Sequence, residues 1–455
     1  MKLAFRVREL LLDLLLAVLV LTSVLLSVRI WYPEPLFGAA DTAEPSLQQQ
    51  PIPIVREMPE VFRPERVVVL SAEGGRAELH PGFPTYAASW QRIRTALTGL
   101  DIRGGATLID EVPRGAEAAP VLELYLPTAL QVSQWADLLR WETSLLRNGS
   151  ILVDRVTMTL GERAAVYLSG PPGFNLYLAE LPEARRLSLV AHVERLNPAL
   201  FGQYRELALE GLGVRAEPGL VVPDVAELPA AEVHVSMPDL REEEARYFPD
   251  LTLVRQIDEH DARSLTDGRR LLRITGAGLL QYRTAEGSGE TGAPTLEQSL
   301  EAAGTWVGSR GGWPQDVVLH RFVRDAGVGK LVFEVHTGAR YPVQSLPGAM
   351  QVHVSATDRV VYFERTPTVA NVTFLDDDML SLIQPEAALA HALPAAPVLA
   401  SEPVRAMYLT YLLKPPADVG GQWTAEPTWV IQAGQTEVYV NAVAREYPLP
   451  PKVVQ

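Results

Sequence analysis

The longest apolar run in the chain lies near its N-terminus and predicts a membrane-spanning helix. Residues 10–30 (LLLDLLLAVLVLTSVLLSVRI) are apolar at nearly every position. At about 1.5 Å per residue this helix is about 31 Å long, which matches the hydrocarbon core of a bilayer. Lys2, Arg6 and Arg8 precede the run. The positive-inside rule therefore predicts that residues 1–9 lie in the cytoplasm and that the bulk of the chain is extracytoplasmic.

A cleaved signal peptide is the alternative interpretation of the same run. Gly38, Ala39 and Ala40 would supply the small residues of a cleavage site. The apolar region is longer than the roughly 7–15 residues usual in signal peptides, which favours an uncleaved anchor. Trp31 and Tyr32 follow the run, where aromatic side chains anchor a helix in the outer interface.

Three polar residues inside the predicted span are candidate contacts with a partner helix. Asp13 lies about one turn from the cytoplasmic end, where a carboxylate in lipid is costly unless it reaches the interface or meets a partner. Ser23 and Ser27 form a small-xxx-small pair, which allows a second helix to approach closely. Snorkelling of Asp13 and a chance pair of serines are the simpler interpretations, and they stay open.

The region after the span changes from an extended stalk to a mixed α+β pattern. Residues 31–65 are rich in Pro, Gln, Glu and Ala and lack periodicity, which is typical of a stalk. Residues 66–230 alternate strand and amphipathic helix patterns and predict an N-terminal α+β domain. The predicted strands are 67–70, 121–126, 151–160 and 163–168, and the predicted helices are 86–100, 132–146 and 181–196.

The second half of the chain is dominated by short alternating strand patterns and contains a diverged repeat. It predicts a central β-rich domain at 231–365 and a C-terminal helix-on-sheet domain at 366–455. Helical patterns at 296–307 and 385–393 are each followed by several strand patterns, and the closest match sets 352–356 (VHVSA) against 438–442 (VYVNA). We predict two units in which a helix covers one face of an antiparallel sheet. The overall fold class is therefore α+β with a single N-terminal transmembrane helix.

The composition excludes several classes of site. The chain contains no cysteine, which rules out disulfides, thiolate catalysis and Cys-ligated metals. A chain of this length can bury a sufficient core without such cross-links. The net charge of −15 argues against a nucleic-acid partner, because binding to phosphates requires a basic surface.

No established catalytic motif is present, so the sequence predicts neither an enzyme nor a cofactor or metal. The patterns H-E-x-x-H, G-x-S-x-G and S-x-x-K are all missing. Residues 327–330 (GVGK) lack the first glycine and the hydroxyl of a P-loop and predict a hairpin turn. His320, His336 and His353 are too far apart for a local metal motif, and solvent-facing strand histidines are the simpler prediction. The acidic run 376–378 predicts the start of a helix in preference to a calcium site.

With these features in place, the chain resembles the YycH family. The resemblance rests on the end of the span (SVRIWYPEP) and on segments 246–282 and 311–343, and the order of elements fits nearly the whole chain. It implies a single-pass regulator of the essential cell-wall sensor histidine kinase of low-GC Gram-positive bacteria. It also implies a sister protein, YycI, as a second partner, and regulation through contacts among transmembrane helices. The arginine-rich composition, with only four lysines, departs from typical members.

Three functions are compatible with these features. The first is a non-enzymatic, membrane-anchored regulator that restrains a sensor kinase. Such a regulator must bind the two signalling states of the kinase with different affinity, and a coupling of about 1–3 kcal/mol gives about a 5–150-fold bias. The second is an extracytoplasmic scaffold for envelope assembly. The third is a cell-wall ectoenzyme whose reactive groups come together only in the folded chain.

Overall fold

Three large, mainly antiparallel sheets form the framework of the protein, which is a strand-rich α+β structure. The computed structural model describes residues 19–20, 61–102, 107–112, 119–141, 151–170, 173–196, 203–217, 220–248, 250–285, 292–314, 317–335, 342–345, 348–416, 422–434, 436–446 and 450–454. In the predicted span this includes only Leu19 and Val20, which are helical and exposed. Across the ranges given above, we find no helix with the length and apolar character needed to cross a bilayer.

Four of the seven strands of the N-terminal sheet, and the three helices of this region, lie where the sequence predicted them. Its elements are β1 (Arg66–Leu70), β2 (Arg76–Leu79), α1 (Pro84–Leu97), β3 (Thr107–Ile109), β4 (Val121–Gln131), α2 (Val132–Leu139), β5 (Leu152–Thr159), β6 (Ala165–Gly170), β7 (Phe174–Glu180) and α3 (Glu183–Arg195). The strand order is β2-β1-β4-β5-β6-β7-β3. Trp90, Ile93 and Leu97 share one face of α1 and are buried, because their spacing follows the helical period.

The chain then supplies strands to two further sheets. The elements of this part are β8 (Tyr204–Glu206), β9 (Val221–Pro223), β10 (Glu227–Ser236), α4 (Leu240–Tyr247), a 3₁₀ turn (Leu251–Leu253), β11 (Arg255–Asp258), β12 (Ala262–Thr266), β13 (Arg270–Thr275), β14 (Leu280–Thr284), α5 (Leu296–Gly308), β15 (Val317–Asp325), β16 (Val328–Val335), β17 (Val343–Gln344), β18 (Met350–Ser355) and β19 (Val360–Arg365). The central sheet has the order β11-β12-β13-β14-β19-β18-β16-β15. Strands β8 and β9 form a separate pair.

The C-terminal sheet combines the end of the chain with strands from earlier segments. The remaining elements are β20 (Thr368–Ser381), α6 (Pro385–Ala392), α7 (Val398–Ser401), β21 (Val404–Lys414), β22 (Thr424–Ala433), β23 (Thr436–Asn441), a 3₁₀ turn (Ala444–Glu446) and β24 (Lys452–Val454). The sheet follows the order β17-β21-β22-β10-β20, and β23 joins β22 to β24. Strand β10 runs across the domain boundary predicted at residue 230, and the three predicted domain ranges stay predictions.

The predicted repeat is confirmed by the strand order. Helix α5 precedes an antiparallel meander β15-β16-β18-β19, and helix α6 precedes the meander β21-β22-β23-β24. Each helix packs on the second and third strands of its own meander. The matched segments 352–356 and 438–442 begin inside the third strands, β18 and β23. The two units therefore share one helix-on-sheet topology.

The central and C-terminal sheets are linked by a strand that leaves one for the other. Between β16 and β18 the chain extends to the C-terminal sheet, where β17 pairs in parallel with β21. The chain then returns to the central sheet at β18. Because both neighbours of β17 in sequence belong to the central sheet, the two sheets cannot separate without breaking this pairing.

Two local expectations from the sequence do not hold. Val61 and Phe62, which were assigned to the end of the stalk, are buried, and Phe62 packs edge-on against Trp135 with ring centroids 6.2 Å apart. The acidic run 376–378 does not begin a helix, because it lies inside β20. The ladder with β10 shifts its register here, since Pro229 pairs with Met379 and Ala230 with Leu375, and residues 376–378 lie between these two pairs. The run is an exposed bulge in an edge strand, a position where charges discourage pairing with other chains.

The predicted turn at 327–330 joins β15 to β16 and brings β16 close to α5. Ala326 and Gly327 both have positive φ angles, of 45° and 79°, as a tight hairpin turn requires. Gly329 lies in β16 beneath α5, where an added Cβ would collide with Ser299 Oγ and crowd Pro294. The absence of a side chain at residue 329 therefore sets the distance between helix and sheet.

We expect Gly329→Ala to lower the free energy of unfolding by about 1–3 kcal/mol, because the new methyl group must push α5 away from β16. Urea denaturation of the variant measures this change. Adding Ser299→Ala removes the nearest colliding atom. The double variant should therefore lose less than the sum of the two single losses, and strict additivity would contradict a helix-to-strand collision.

Candidate functional site: a buried charged junction

Charged side chains from all three sheets meet in the interior of the protein. We call this cluster the charged junction. Its members are Glu65, Arg66, Glu78, His80, His320, Glu334, Gln344, Arg405, Tyr408, Gln432, Glu437 and Tyr439. Most of these residues stand on strands, whose side chains alternate between two faces. Here the second face of each sheet meets another part of the protein instead of water, so the polar positions become buried.

The N-terminal sheet contributes a fully buried ion pair. Arg66 Nη1 donates a hydrogen bond to Glu78 Oε1 at 3.0 Å, and both side chains are 1% exposed. The guanidinium carbon of Arg66 lies 3.7 Å from the centre of the Tyr125 ring. Burial alone would raise the pKa of Glu78, but Arg66 and the nearby His80 outweigh it and lower that pKa. Glu78 is therefore ionised and balances the charge of Arg66.

The central and C-terminal sheets meet at a second buried pair. His320 Nε2 and Glu437 Oε2 are 3.1 Å apart. Glu437 also accepts hydrogen bonds from Gln432 Nε2 at 2.7 Å and from Tyr439 Oη at 2.8 Å. Burial opposes a charge on His320, but the charge and the hydrogen bond of Glu437 outweigh it and raise the pKa of His320 to about 9. At neutral pH the pair is an imidazolium and a carboxylate.

Glu334 occupies the most unusual electrostatic position in the junction. Burial raises the pKa of its carboxyl group to about 8, although His320 favours the ionised form. Glu437 is already ionised and opposes a second negative charge nearby. Glu334 is therefore protonated over most of the neutral range, and one proton on this residue keeps the charges of the junction balanced.

Two contacts cross from the N-terminal to the C-terminal sheet. The rings of His80 and Tyr408 lie 4.2 Å apart, and Arg405 Nη2 lies 3.3 Å from Glu65 Oε1. Within the C-terminal sheet, Gln344 Nε2 on β17 donates to Tyr408 Oη on β21 at 3.3 Å. The cavity inside the junction measures about 30 Å³, far below the roughly 300–1,000 Å³ of pockets that bind organic ligands. The arrangement is suited to holding three sheets in one relative position.

Comparison with known proteins identifies the fold. No protein-family model matches the sequence, and no curated protein matches it. YycH from Bacillus subtilis superimposes with a TM-score of 0.58 over 85% of this chain and 97% of YycH, at 14% sequence identity.

The chain has the fold of YycH. The resemblance predicted from the sequence is thus confirmed at the level of the fold. The C-terminal domain of YpeB from Bacillus megaterium matches 49% of this chain and 99% of that domain, with a TM-score of 0.28 and 14% identity. A protein from Eubacterium rectale matches 52% of this chain and 87% of its own, with a TM-score of 0.28 and 8% identity.

Only some of the candidate residues indicated by the sequence lie among the described residues. Asp13, Ser23 and Ser27 lie outside the described residues, so their role in partner binding stays a prediction, and His336 lies outside them as well. His320 was expected to face solvent, but its side chain is only 12% exposed, because β15 meets the C-terminal sheet at this point.

His353 is also partly buried. Its ring lies 4.6 Å from that of Tyr362, and burial lowers its pKa to about 4. Within the described ranges, no three His, Asp or Glu side chains are grouped as a metal site requires.

The charged junction itself was not predicted from the sequence. One signal was available, since His320, Glu334 and Glu437 each directly adjoin an apolar residue within a strand pattern. In a sheet with one face exposed to solvent, a polar side chain in a strand normally lies on the exposed face. When a second sheet packs on that face, the same side chain becomes buried.

We expect the protein to lose stability as the pH rises from about 6 to about 9. Folding raises the pKa values of Glu334 and His320, so the folded chain holds protons that the unfolded chain releases. Their contribution is complete below the ordinary pKa values of about 4.5 and 6.5 and is lost as the pH passes the folded values of about 8 and 9, by several kcal/mol in total. Urea denaturation across this range measures the loss. Glu334→Gln, which stays neutral, should show a smaller loss, and an equal loss in both proteins would rule out Glu334 as a contributor.

We expect Glu437→Ala to lower the free energy of unfolding by about 3–5 kcal/mol, because it leaves His320 buried without its carboxylate partner. Thermal and urea unfolding measure the change. Glu183→Ala is the matched control, since Glu183 pairs with Arg186 at 2.6 Å on an exposed helix surface. It should leave the unfolding midpoint unchanged. Comparable losses in the two variants would show that the junction contributes no more than a surface pair.

Proposed function

We propose that the protein is a non-enzymatic, membrane-anchored regulator of a sensor histidine kinase that controls cell-wall metabolism. The observation that carries this proposal is the YycH fold, which extends over 85% of the chain. The apolar run at residues 10–30 and the missing catalytic motifs support it further. The junction supports a non-enzymatic role as well, since its buried charges are paired for docking and enclose little space.

The proposed arrangement places the regulatory contact in the bilayer. Residues 10–30 form the span, residues 1–9 lie in the cytoplasm, and the three sheets lie outside the membrane. Ser23 and Ser27 provide a smooth surface against which a transmembrane helix of the kinase packs, and Asp13 meets a polar group near the cytoplasmic end. A YycI-like sister protein is the second proposed partner.

The folded region sets the position of this span. Buried ion pairs and the exchanged strand β17 hold the central and C-terminal sheets together, so a force on one sheet is passed to the others. The regulator restrains the kinase by binding its inactive state more tightly than its active state. A difference of about 1–3 kcal/mol between the two states suffices.

Replacing Ser23 and Ser27 together with leucine should weaken restraint of the kinase, because the larger side chains prevent close helix packing. The test expresses the full chain in a strain that lacks the native gene and measures a reporter of kinase output. The matched control is Val18→Leu with Leu21→Val, which alters the opposite side of a regular helix and conserves apolar character. We expect the serine variant to raise the output at least about fivefold and the control to behave as wild type.

Further results of the same assay distinguish this mechanism from others. A segment of residues 1–38 should retain part of the restraint. Full regulation by the folded region without its span, and none by the segment, would contradict the bilayer contact and favour binding outside the membrane. Unchanged kinase output after deletion of the gene would contradict the regulatory function itself and favour an assembly role.

A further inference from the structure

A groove of about 540 Å³ lies between α5 and the ends of three strands of the central sheet. We call it the arginine groove. Its principal lining residues are Arg270, Tyr282, Trp306, Arg310 and Arg359. Its volume falls within the range of pockets that hold small molecules or peptide segments, in contrast to the cavity of the charged junction.

The floor of the groove is a rigid aromatic cluster. Tyr282 on β14 pairs directly with Phe363 on β19, so their rings share one face of the sheet. Trp306 packs on both, with centroid distances of 5.2 Å to Tyr282 and 5.0 Å to Phe363. A capping box between Thr295 and Gln298 fixes the start of α5. The groove is therefore formed before any ligand arrives.

Arg310 lies over this floor without an acidic partner. Its guanidinium carbon is 4.4 Å from the centre of the Trp306 ring. Nη1 donates to Ser309 Oγ at 3.0 Å and to Trp306 O at 3.4 Å, but the buried Nε finds no hydrogen-bond acceptor. Among the described residues no carboxylate lies within ion-pair distance of Arg310. Burial lowers the pKa of its guanidinium, and the hydroxyls of Tyr282 and Tyr247 offset this only in part.

A second cation makes this environment less favourable still. Arg270, at the start of β13, lines the same groove and lowers the pKa of Arg310 further. Its own acidic neighbour, Asp267, is at 4.0 Å, the limit of an ion pair. Nearby, by contrast, Arg246 and Arg365 both contact Glu243, at 2.8 and 3.0 Å. A partly buried cation beside another cation is costly unless an anion compensates it.

The simpler interpretation is that Arg310 caps α5. Its bond to Trp306 O and its place after the last turn fit a C-terminal cap, and the helix dipole favours a cation there. A cap uses one terminal nitrogen, however. A cap therefore explains neither the buried Nε–H, which has no acceptor, nor the presence of a second arginine, Arg270, in the same groove. Nε–H and an Nη–H of arginine together match the two oxygens of an oxyanion.

We propose that the arginine groove binds an oxyanion, the carboxylate or phosphate group of a ligand that fills the rest of the groove. Arg310 holds the oxyanion from the aromatic floor and Arg270 adds a second positive charge. Glu301 and Asp358 also line the groove, together with the hydroxyl of Thr305. The favoured ligand therefore carries hydrogen-bond donors beside its single anionic group, as a hydroxylated phosphate ester or a peptide terminus does.

Thermal unfolding of the full chain in detergent tests this proposal. The probes are glycerol phosphate and N-acetylglycine, each compared with chloride at equal ionic strength. We expect the unfolding midpoint to rise with at least one probe, because ligand that binds only the folded state stabilises it. A response to the phosphate ester alone identifies a phosphate source, and a response to the carboxylate alone identifies a peptide or acid source.

Arg310→Met should abolish the response, with an apparent affinity at least about tenfold weaker, because methionine keeps the contact with Trp306 but offers no donors. Its midpoint without probe should equal or exceed that of wild type, because an uncompensated charge has been removed. Arg310→Lys, which keeps the charge without the planar fork, should also lose most of the affinity. The matched control is Arg195→Met, since Arg195 also lies at a helix end and bonds a carbonyl of its own helix at 2.8 Å.

Two results would overturn the proposal. The first is the absence of any rise with both probes at millimolar concentration. The second is an equal rise in wild type and Arg310→Met, above all if that variant also unfolds several degrees earlier without probe, which would assign Arg310 to the helix cap alone.

Discussion

Buried charge is the constraint on which the arrangement of the three sheets depends. His320 of the central sheet pairs with Glu437 of the C-terminal sheet, and Arg405 of the C-terminal sheet pairs with Glu65, which directly precedes β1 in the N-terminal sheet. A charge that loses its partner away from water costs several kcal/mol, so a misplaced sheet would leave an uncompensated group. Apolar contacts alone tolerate many relative positions of two sheets. The ion pairs can form in only one of these positions, and in this way the junction selects a single docking geometry.

The connection between the repeat units reinforces this geometry. Each unit is a helix on a four-stranded meander and could exist as a separate layer. Strand β17 prevents that separation, because its chain neighbours belong to the central sheet while its hydrogen bonds are made to β21. Gln344 on β17 also reaches Tyr408 in the junction, so the exchanged strand and the buried charges act at the same place.

A rigid body of this kind suits a regulator that has to transmit position. The proposed contact with the kinase lies in the bilayer, yet the mass of the protein lies in its sheets. Pairing across the junction lets these sheets move together, and the arginine groove gives the central sheet a place where a ligand could bias that movement. The groove and the junction differ in how their charged side chains are paired. In the groove, Arg310 has no carboxylate within ion-pair distance among the described residues, whereas in the junction Arg66 and His320 each pair with a buried carboxylate.

The sequence by itself determined the local elements, because they depend on periodicity. The face of α1 that carries Trp90, Ile93 and Leu97 and the hairpin at 327–330 follow from spacings within a few residues. The helix-plus-meander repeat follows from two helical patterns that are each followed by several strand patterns. The apolar run and the absence of cysteine likewise needed no structure. Tertiary structure decided which side of a strand meets another sheet, and this buried His320, for which the pattern predicted exposure to solvent. It also brought Arg270 and Arg310 to one groove and placed the acidic run 376–378 in a strand. These outcomes depend on contacts between distant segments, which local spacing does not encode.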